Sequence, residues 1–336
     1  MNRTLLLHFL KFDISSQSLS FEPWLDALYV SNDVSQTFPA RQPTLKLQVE
    51  DAATSGVWID TPALAVFAET NLCNARCYYE SGRFYSSNLG NYPHELVYDL
   101  RTHTIVASLG GRYVDNPQFI VGNILRPILQ SFVMPFYGMK TLHGAVLNRG
   151  DQTLFLAGAG GAGKTTAAIE LMGAGYDLLS DDGPFFVLEG GRAYALASLD
   201  YLHVTETTLA LFPQLCTYVI GEKDGREKYA VPTRNLQNLD GWKKPQQVTE
   251  YIQLRRTHVA RPRLQRRPKL VAHRQLMRES MIVFRAAQFR TEAYPFREYG
   301  EFTFEVVASL VQNAEVYELE YADDHLAELP ALLEQL

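Results

Sequence analysis

The sequence predicts an α/β protein: a carboxyl-terminal domain of alternating strands and helices behind a smaller, β-rich (α+β) domain. Three observations carry this expectation. The apolar run Leu154-Phe155-Leu156-Ala157 leads through a glycine-rich turn into a helix-forming segment from Lys164 to Gly173. From Thr141 onward strand-like and helix-like segments alternate, the pattern of a sheet covered by helices. Up to about residue 115, short strand-forming runs alternate with Asn, Ser, Gly and Pro. A length of 336 residues is comfortable for two domains, which the sequence places at 1–118 and 119–336.

The elements follow in chain order. The apolar start from Met1 to Leu10 is interrupted by His8, Lys11 and Asp13, and no small-residue cleavage site follows, so it reads as a first strand rather than a leader. Further strands are expected at Leu45 to Val49, Leu64 to Phe67, Glu95 to Asp99 and Ile105 to Ala107. Phe119 to Met139 reads as a helix, with Pro127 and Pro135 marking boundaries or a kink. Tyr176 to Ser180 reads as a strand. Phe185 to Leu188 and Ala193 to Leu196 flank Gly190-Gly191 as a hairpin. A helix from Phe302 to Gln312, a strand from Val316 to Leu319 and a final amphipathic helix from Asp323 to Gln335 complete the chain, the last capped by Asp323 or Asp324.

Composition narrows the function classes. Hydrophobic residues make up 46% and charged residues 20%, as in an ordinary globular protein. A net charge of -6 argues against a general nucleic-acid binder. No stretch approaches ~20 uninterrupted apolar residues, so no membrane helix is expected. Cys73, Cys77 and Cys216 do not make a disulfide scaffold, and a cytoplasmic, reducing location is the expectation. Cys73 and Cys77 imitate the start of a three-cysteine cluster motif, but the third position is Glu80, and we read the match as coincidence.

The chemistry concentrates at Gly158-Ala159-Gly160-Gly161-Ala162-Gly163-Lys164-Thr165, with Thr166 next, a Walker A pattern without mismatch. Glycines allow backbone N–H groups to approach phosphate oxygens, and the helix start points its positive end at the same anion. Lys164 supplies a mobile cation for the β- and γ-phosphates, and the Thr165 hydroxyl is the expected Mg²⁺ ligand. A nucleoside triphosphate, ATP by expectation, is the ligand this pattern calls for. Leu178-Leu179-Ser180-Asp181-Asp182 is an apolar strand ending in two acids where a Walker B acid belongs, about 17 residues after Lys164. One acid can position a metal while the other accepts a proton from an incoming hydroxyl. His143, in Leu142-His143-Gly144-Ala145, falls just before the loop on an adjacent strand, within plausible reach of the γ-phosphate.

The order and close spacing of His143, the loop and the paired acids resemble the HPr serine kinase family, whose nucleotide-binding core is shared with ATP-dependent phosphoenolpyruvate carboxykinases. The matching residues run from Leu142-His143-Gly144 through the loop and the Ala167-Ala168-Ile169-Glu170-Leu171 helix to Leu179-Ser180-Asp181-Asp182. The resemblance implies a P-loop, phosphoenolpyruvate carboxykinase-like fold for the carboxyl-terminal domain and phosphoryl transfer from ATP to a serine hydroxyl. It implies that Lys164 holds the phosphates, that Thr165 and Asp182 hold the metal, and that Asp181 acts as base with His143 assisting; the two acids could also exchange duties. The family's second glycine-rich signature, with a glutamate and an arginine, is absent, and Leu202-His203-Val204-Thr205-Glu206 stands in that region. Related kinases act on serines of small ribosomal peptides, so the resemblance implies that target class as much as a carrier protein.

Eleven Arg or Lys residues and a single acid, Glu279, lie between Arg255 and Arg290. A transferring phosphate needs a balancing cation, for which Arg234, Arg255 and Arg256 are candidates, Arg255 foremost. An acidic protein or peptide acceptor could dock on this basic segment, and the chain could also form a homo-oligomer. Two other readings stay open: a small-molecule kinase or carboxykinase-like enzyme on the same core, and a non-catalytic nucleotide-binding regulator.

Overall fold

The computed structural model describes residues 2–7, 10–16, 30–31, 44–51, 68–70, 76–80, 82–88, 94–109, 130, 134–199, 201–219, 222–223, 228–237, 244–280, 284–285 and 296–336. The chain divides into two compact units, one formed by Met1–Met139 with Met281–Phe302, the other by Lys140–Ser280 with Thr303–Leu336. Residues 118 and 119, where the sequence places the domain boundary, lie outside the described residues.

The first unit is built on a nine-stranded sheet. Its spatial order is Asn2–Leu7, Leu10–Ser16, Thr44–Asp51, Thr104–Leu109, His94–Asp99, Arg83–Asn88, Arg76–Glu80, Ala68–Thr70 and Phe284–Arg285. The strands expected at 45–49, 95–99 and 105–107 all belong to it; Leu64 to Phe67 lies outside the described residues. Asp99 ends one hairpin strand and binds Arg83 across it at 2.8 Å, with the Arg101 backbone N–H at 2.9 Å. Of the helix expected over 119–139, most lies outside the described residues, and Met134–Tyr137 is a 3-10 turn.

The second unit centres on a six-stranded sheet. Its strands are β1 (Gly144–Arg149), β2 (Gln152–Ala157), β3 (Asp177–Ser180), β4 (Glu250–Arg256), β5 (Arg263–Arg266) and β6 (Glu315–Tyr321), in the spatial order β3-β1-β2-β4-β6-β5. The sheet is mixed. β2, β4 and β6 are parallel, whereas β1 is antiparallel to both β2 and β3. Two successive reversals leave β2 and β3 running the same way, so Ala157, Ser180, Arg256 and Tyr321 end on one edge and β1 begins there.

The helix α1 (Lys164–Gly173) lies on one face of this sheet. Its Ala167, Ala168, Ile169 and Leu171 are buried in one core with Leu154, Leu156, Ile252, Leu254 and Leu319. Strand alternation sends Phe155 and Tyr251 to the opposite face. There Phe155 meets Phe186 edge-on at 5.3 Å and stacks on Tyr251 at 5.7 Å. Phe186 belongs to the expected hairpin, Phe185–Glu189 with Arg192–Leu196 around Gly190-Gly191, part of a second, four-stranded sheet.

The final amphipathic helix is shorter than expected. Asp323–Glu328 is a 3-10 segment kinked at His325, and a short α-helix covers Leu329–Leu333. Neither expected acid caps it: Ala322 is the capping residue, and no side chain bonds there. Asp323 is engaged by Arg256 instead. Pro330 has no N–H to offer a continuous helix, and it sits at the start of the second segment, where none is needed. Among the described residues, no helix is long and apolar enough to cross a membrane.

Candidate functional site

The glycine-rich loop joins the end of β2 to α1. Gly163, the residue before the helix, is in the left-handed region at φ 84°, and its side chain-free Cα lets Tyr321 approach: a Cβ there would lie 2.0 Å from the phenolic oxygen. The Tyr321 hydroxyl donates to the carbonyls of Gly163 at 3.0 Å and Ala162 at 3.3 Å, pinning the loop. No side chain caps α1, so the N–H groups of its first turn, Lys164, Thr165 and Thr166 included, have no partner within the helix. With the helix dipole, N–H groups so placed can hold an anion.

Lys164 is 8% exposed, and all three of its ammonium protons are used. It donates to the carbonyls of Gly158 at 2.8 Å and Ala159 at 3.2 Å, and it meets His143 Nε2 at 2.9 Å. Burial pushes its pKa down, opposed by Asp182 and Asp181. An ammonium cannot accept, so Nε2 of His143 accepts and the ring proton sits on Nδ1. That nitrogen lies 3.1 Å from Asp182 Oδ1 and donates to it. His143 thus joins the lysine to one of the two acids.

The other acid faces Thr165. Its hydroxyl donates to Asp181 at 3.1 and 3.2 Å to the two oxygens. Burial, and then the neighbouring Asp182, raise the Asp181 pKa to about 7; the Thr165 bond and Lys164 oppose them. Asp182 takes a left-handed backbone at φ 58°, which few residues besides glycine and Asn or Asp adopt. This bend breaks the strand's alternation, so two consecutive carboxylates both serve the loop, one at Thr165 and one at His143. The Thr165 hydroxyl is thus in contact with Asp181, while Asp182 reaches His143.

His143 reaches the site because β1 is antiparallel to β2 and β3, with Gly144 opposite Ala157 and Val146 opposite Ser180. The glycine after it is required by packing: a Cβ on Gly144 would fall 2.4 Å from a ring carbon of Phe155 and 2.6 Å from the Leu156 carbonyl.

No family model matches this chain, and no curated protein matches it. Among solved structures, the HPr(Ser) kinase/phosphatase from Coxiella burnetii aligns with a TM-score of 0.30 and 13% identity, over 59% of this chain and 93% of that one. A likeness of that degree carries no argument about activity, which has to come from the side chains.

The remaining candidates divide. The Thr166 hydroxyl shares a hydrogen bond with Thr208 at 3.3 Å, which leaves its backbone N–H as the group without a partner within the helix. Arg255, the foremost arginine from sequence, points to the sheet face away from α1. It pairs there with Glu320 at 2.9 Å and Glu318 at 3.5 Å, its cross-strand neighbourhood on β6. Arg256, one residue on, takes the other face, and its Cδ lies 3.7 Å from where a Gly163 Cβ would stand. The Arg234 side chain lies outside the described residues, as do Cys73 and the side chain of Cys77.

The basic segment is neutralised in part from within. Arg266 pairs with Glu315 at 3.3 Å and Arg267 with Glu318 at 3.1 Å. Arg261, Arg263, Arg274 and Arg278 are exposed and form no ion pair among the described residues. Sequence reasoning did not find Tyr321, for which local motifs carry no signal. Lys228, at the end of a segment that the sequence reads as an exposed loop, has its charge felt at both Lys164 and Asp181.

Proposed function

We propose that this chain is an ATP-dependent phosphotransferase that moves the γ-phosphate to a serine hydroxyl of a protein or small ribosomal peptide. One observation carries this: a single helix start gathers its own uncapped first-turn amides, Lys164, the Thr165–Asp181 pair and the Asp182–His143 pair. A binding module needs the amides and the lysine; it has no use for a second carboxylate oriented by an imidazole.

The donor set fits a magnesium-bound triphosphate. A hydroxyl and a carboxylate in contact, at 3.1 Å, are hard oxygen ligands of the kind Mg²⁺ takes alongside phosphate oxygens. Thr165 and Asp181 would hold the ion, which when bound neutralises charge on the phosphates. The amides at the start of α1 and Lys164 grip and orient the triphosphate. Lys164 must exchange at least one of its protein contacts for a phosphate oxygen to do so.

Asp182 accepts the proton of the serine hydroxyl, held in place by the Nδ1 proton of His143. The serine oxygen bonds to the γ-phosphorus as the bond from that phosphorus to the bridging β-phosphate oxygen breaks, and ADP leaves. His143 couples the two ends of the site, since its other nitrogen is held by Lys164. Arg261, Arg263, Arg274 and Arg278 are exposed cations that no acid among the described residues pairs with, and they can attract an acidic peptide.

The test is incubation with γ-labelled ATP and Mg²⁺ against a panel of serine-containing peptides and proteins. Label on serine is expected, reduced about 10²–10⁴-fold by Asp182→Asn, the usual worth of a positioned base, and lost in Lys164→Ala. Tight ATP binding with no transfer to any acceptor would make the chain a regulator instead.

A further inference from the structure

The flank of the loop opposite the two acids carries polar groups that the proposed reaction leaves unused. β4 and β6 end there, at Arg256 and Tyr321. Tyr321 holds the loop through Gly163 and Ala162, as described. Burial raises its pKa far above the usual phenol range, so it remains a donor at any working pH. Arg256 lies against Gly163, the residue whose backbone opens α1. Its guanidinium pairs with Asp323, two residues beyond Tyr321, through one nitrogen and the Oδ2 oxygen. The other oxygen, Oδ1, is buried and has no hydrogen-bond partner among the described residues.

We infer that Arg256 is a second cation of the phosphate loop, gripping the polyphosphate of a bound nucleotide, and that Asp323 competes with that ligand for it. The inference rests on the nucleotide reading above and adds a residue and a restraint to it. Three features support it.

Position comes first. A phosphate on the amides that open α1 lies beside Gly163, and the Arg256 Cδ lies 3.7 Å from where a Cβ on that residue would stand. Arg255 cannot take its place, because strand alternation sends it to the opposite face and Glu318 and Glu320 hold it there.

The present contact is also a poor match. A guanidinium presents five N–H donors in a planar fork and binds phosphate or carboxylate best through two parallel bonds. Here one nitrogen meets one oxygen, and the second oxygen goes unused. The pair is partly exposed, 34% for Arg256 and 27% for Asp323, so solvent weakens it. A polyphosphate offers several oxygens and more charge, and it outcompetes a single carboxylate.

Linkage then fixes the sign. Whatever holds Arg256 away from the ligand lowers the ligand's affinity. Asp323 is such a group, so removing its charge strengthens binding, an effect that must pass through Arg256.

The experiment is calorimetric titration of Mg·ATP into the full-length wild type, Arg256→Ala, Arg256→Lys, Asp323→Asn and the double variant Arg256→Ala/Asp323→Asn. Arg256→Ala is expected to weaken binding about tenfold, the worth of one charge-assisted contact. Arg256→Lys should recover part of that, having charge without the fork. Asp323→Asn should tighten binding about threefold, and this gain should vanish in the Arg256→Ala background. A damaged fold cannot mimic a gain in affinity. Wild-type affinity in Arg256→Ala, or an Asp323→Asn gain that persists without Arg256, overturns the inference alone. Absence of nucleotide uptake by the wild type overturns the nucleotide reading and this inference together.

Discussion

The Thr165 hydroxyl donates to both oxygens of the Asp181 carboxylate, at 3.1 and 3.2 Å. That carboxylate is costly to bury, and burial with Asp182 beside it raises its pKa to about 7. An acid with a raised folded pKa contributes fully below its unfolded value, about 4, and loses that contribution as pH rises through about 7. Asp181→Asn should therefore stabilise the metal-free protein by about 1 kcal/mol above neutral pH, with no gain at pH 4. The same variant should lose the rise in melting temperature that Mg·ATP gives the wild type. Thermal melts across pH, with and without Mg·ATP, read both effects.

Tyr321 and Gly163 form a lock between the sheet and the loop. Tyr321→Phe removes the hydroxyl bonds and should cost about 1 kcal/mol, with weaker ATP binding. Gly163→Ala should abolish binding, since its Cβ would fall 2.0 Å from the Tyr321 oxygen. Combining the two should restore only part of the affinity: the ring carbon remains 3.1 Å away and the backbone stays left-handed. Full restoration in a titration would contradict the lock.

Gly144→Ala tests why a glycine follows His143. The added methyl meets both the Phe155 ring and a backbone oxygen, and a backbone oxygen has little room to move. A loss of about 2–3 kcal/mol is expected from this overpacking, measured as a shift of the denaturation midpoint.

In the first unit, Asp99 is held well below the usual carboxylate range, first by the Arg101 side chain and with further help from Arg83 and the backbone N–H groups of Arg101 and Thr102. A depressed folded pKa gives stability above about pH 4 that is lost as pH falls toward the folded value. Asp99→Asn should lower stability at neutral pH by on the order of 0.5 kcal/mol, given solvent screening of both arginines. The difference between variant and wild type should close in strongly acid solution.

Much of the site is local and therefore legible. The strand, turn, lysine and helix from Gln152 to Gly173 follow from apolar runs and glycines, and the Gly190-Gly191 hairpin forms as its turn residues dictate. What the sequence hides depends on pairing between distant segments. Arg255 and Arg256 are adjacent, and only the register of β4 against β6 decides that the first meets Glu320 while the second meets the loop. Tyr321 touches Gly163 from 158 positions away, a contact no local pattern encodes. The antiparallel insertion of β1, which brings His143 to the acids, is likewise a property of topology. The broken final helix was foreshadowed by Pro330, whose effect a capping argument from Asp323 overlooked.

The most direct test of the site is uptake of ATP by the wild type and by Lys164→Ala, each with magnesium and with chelator. Saturable binding by the wild type, strengthened by magnesium and reduced at least about tenfold in Lys164→Ala, is expected. No uptake by the wild type, or equal uptake by both proteins, would contradict a nucleotide held between Lys164 and the acids at 181 and 182.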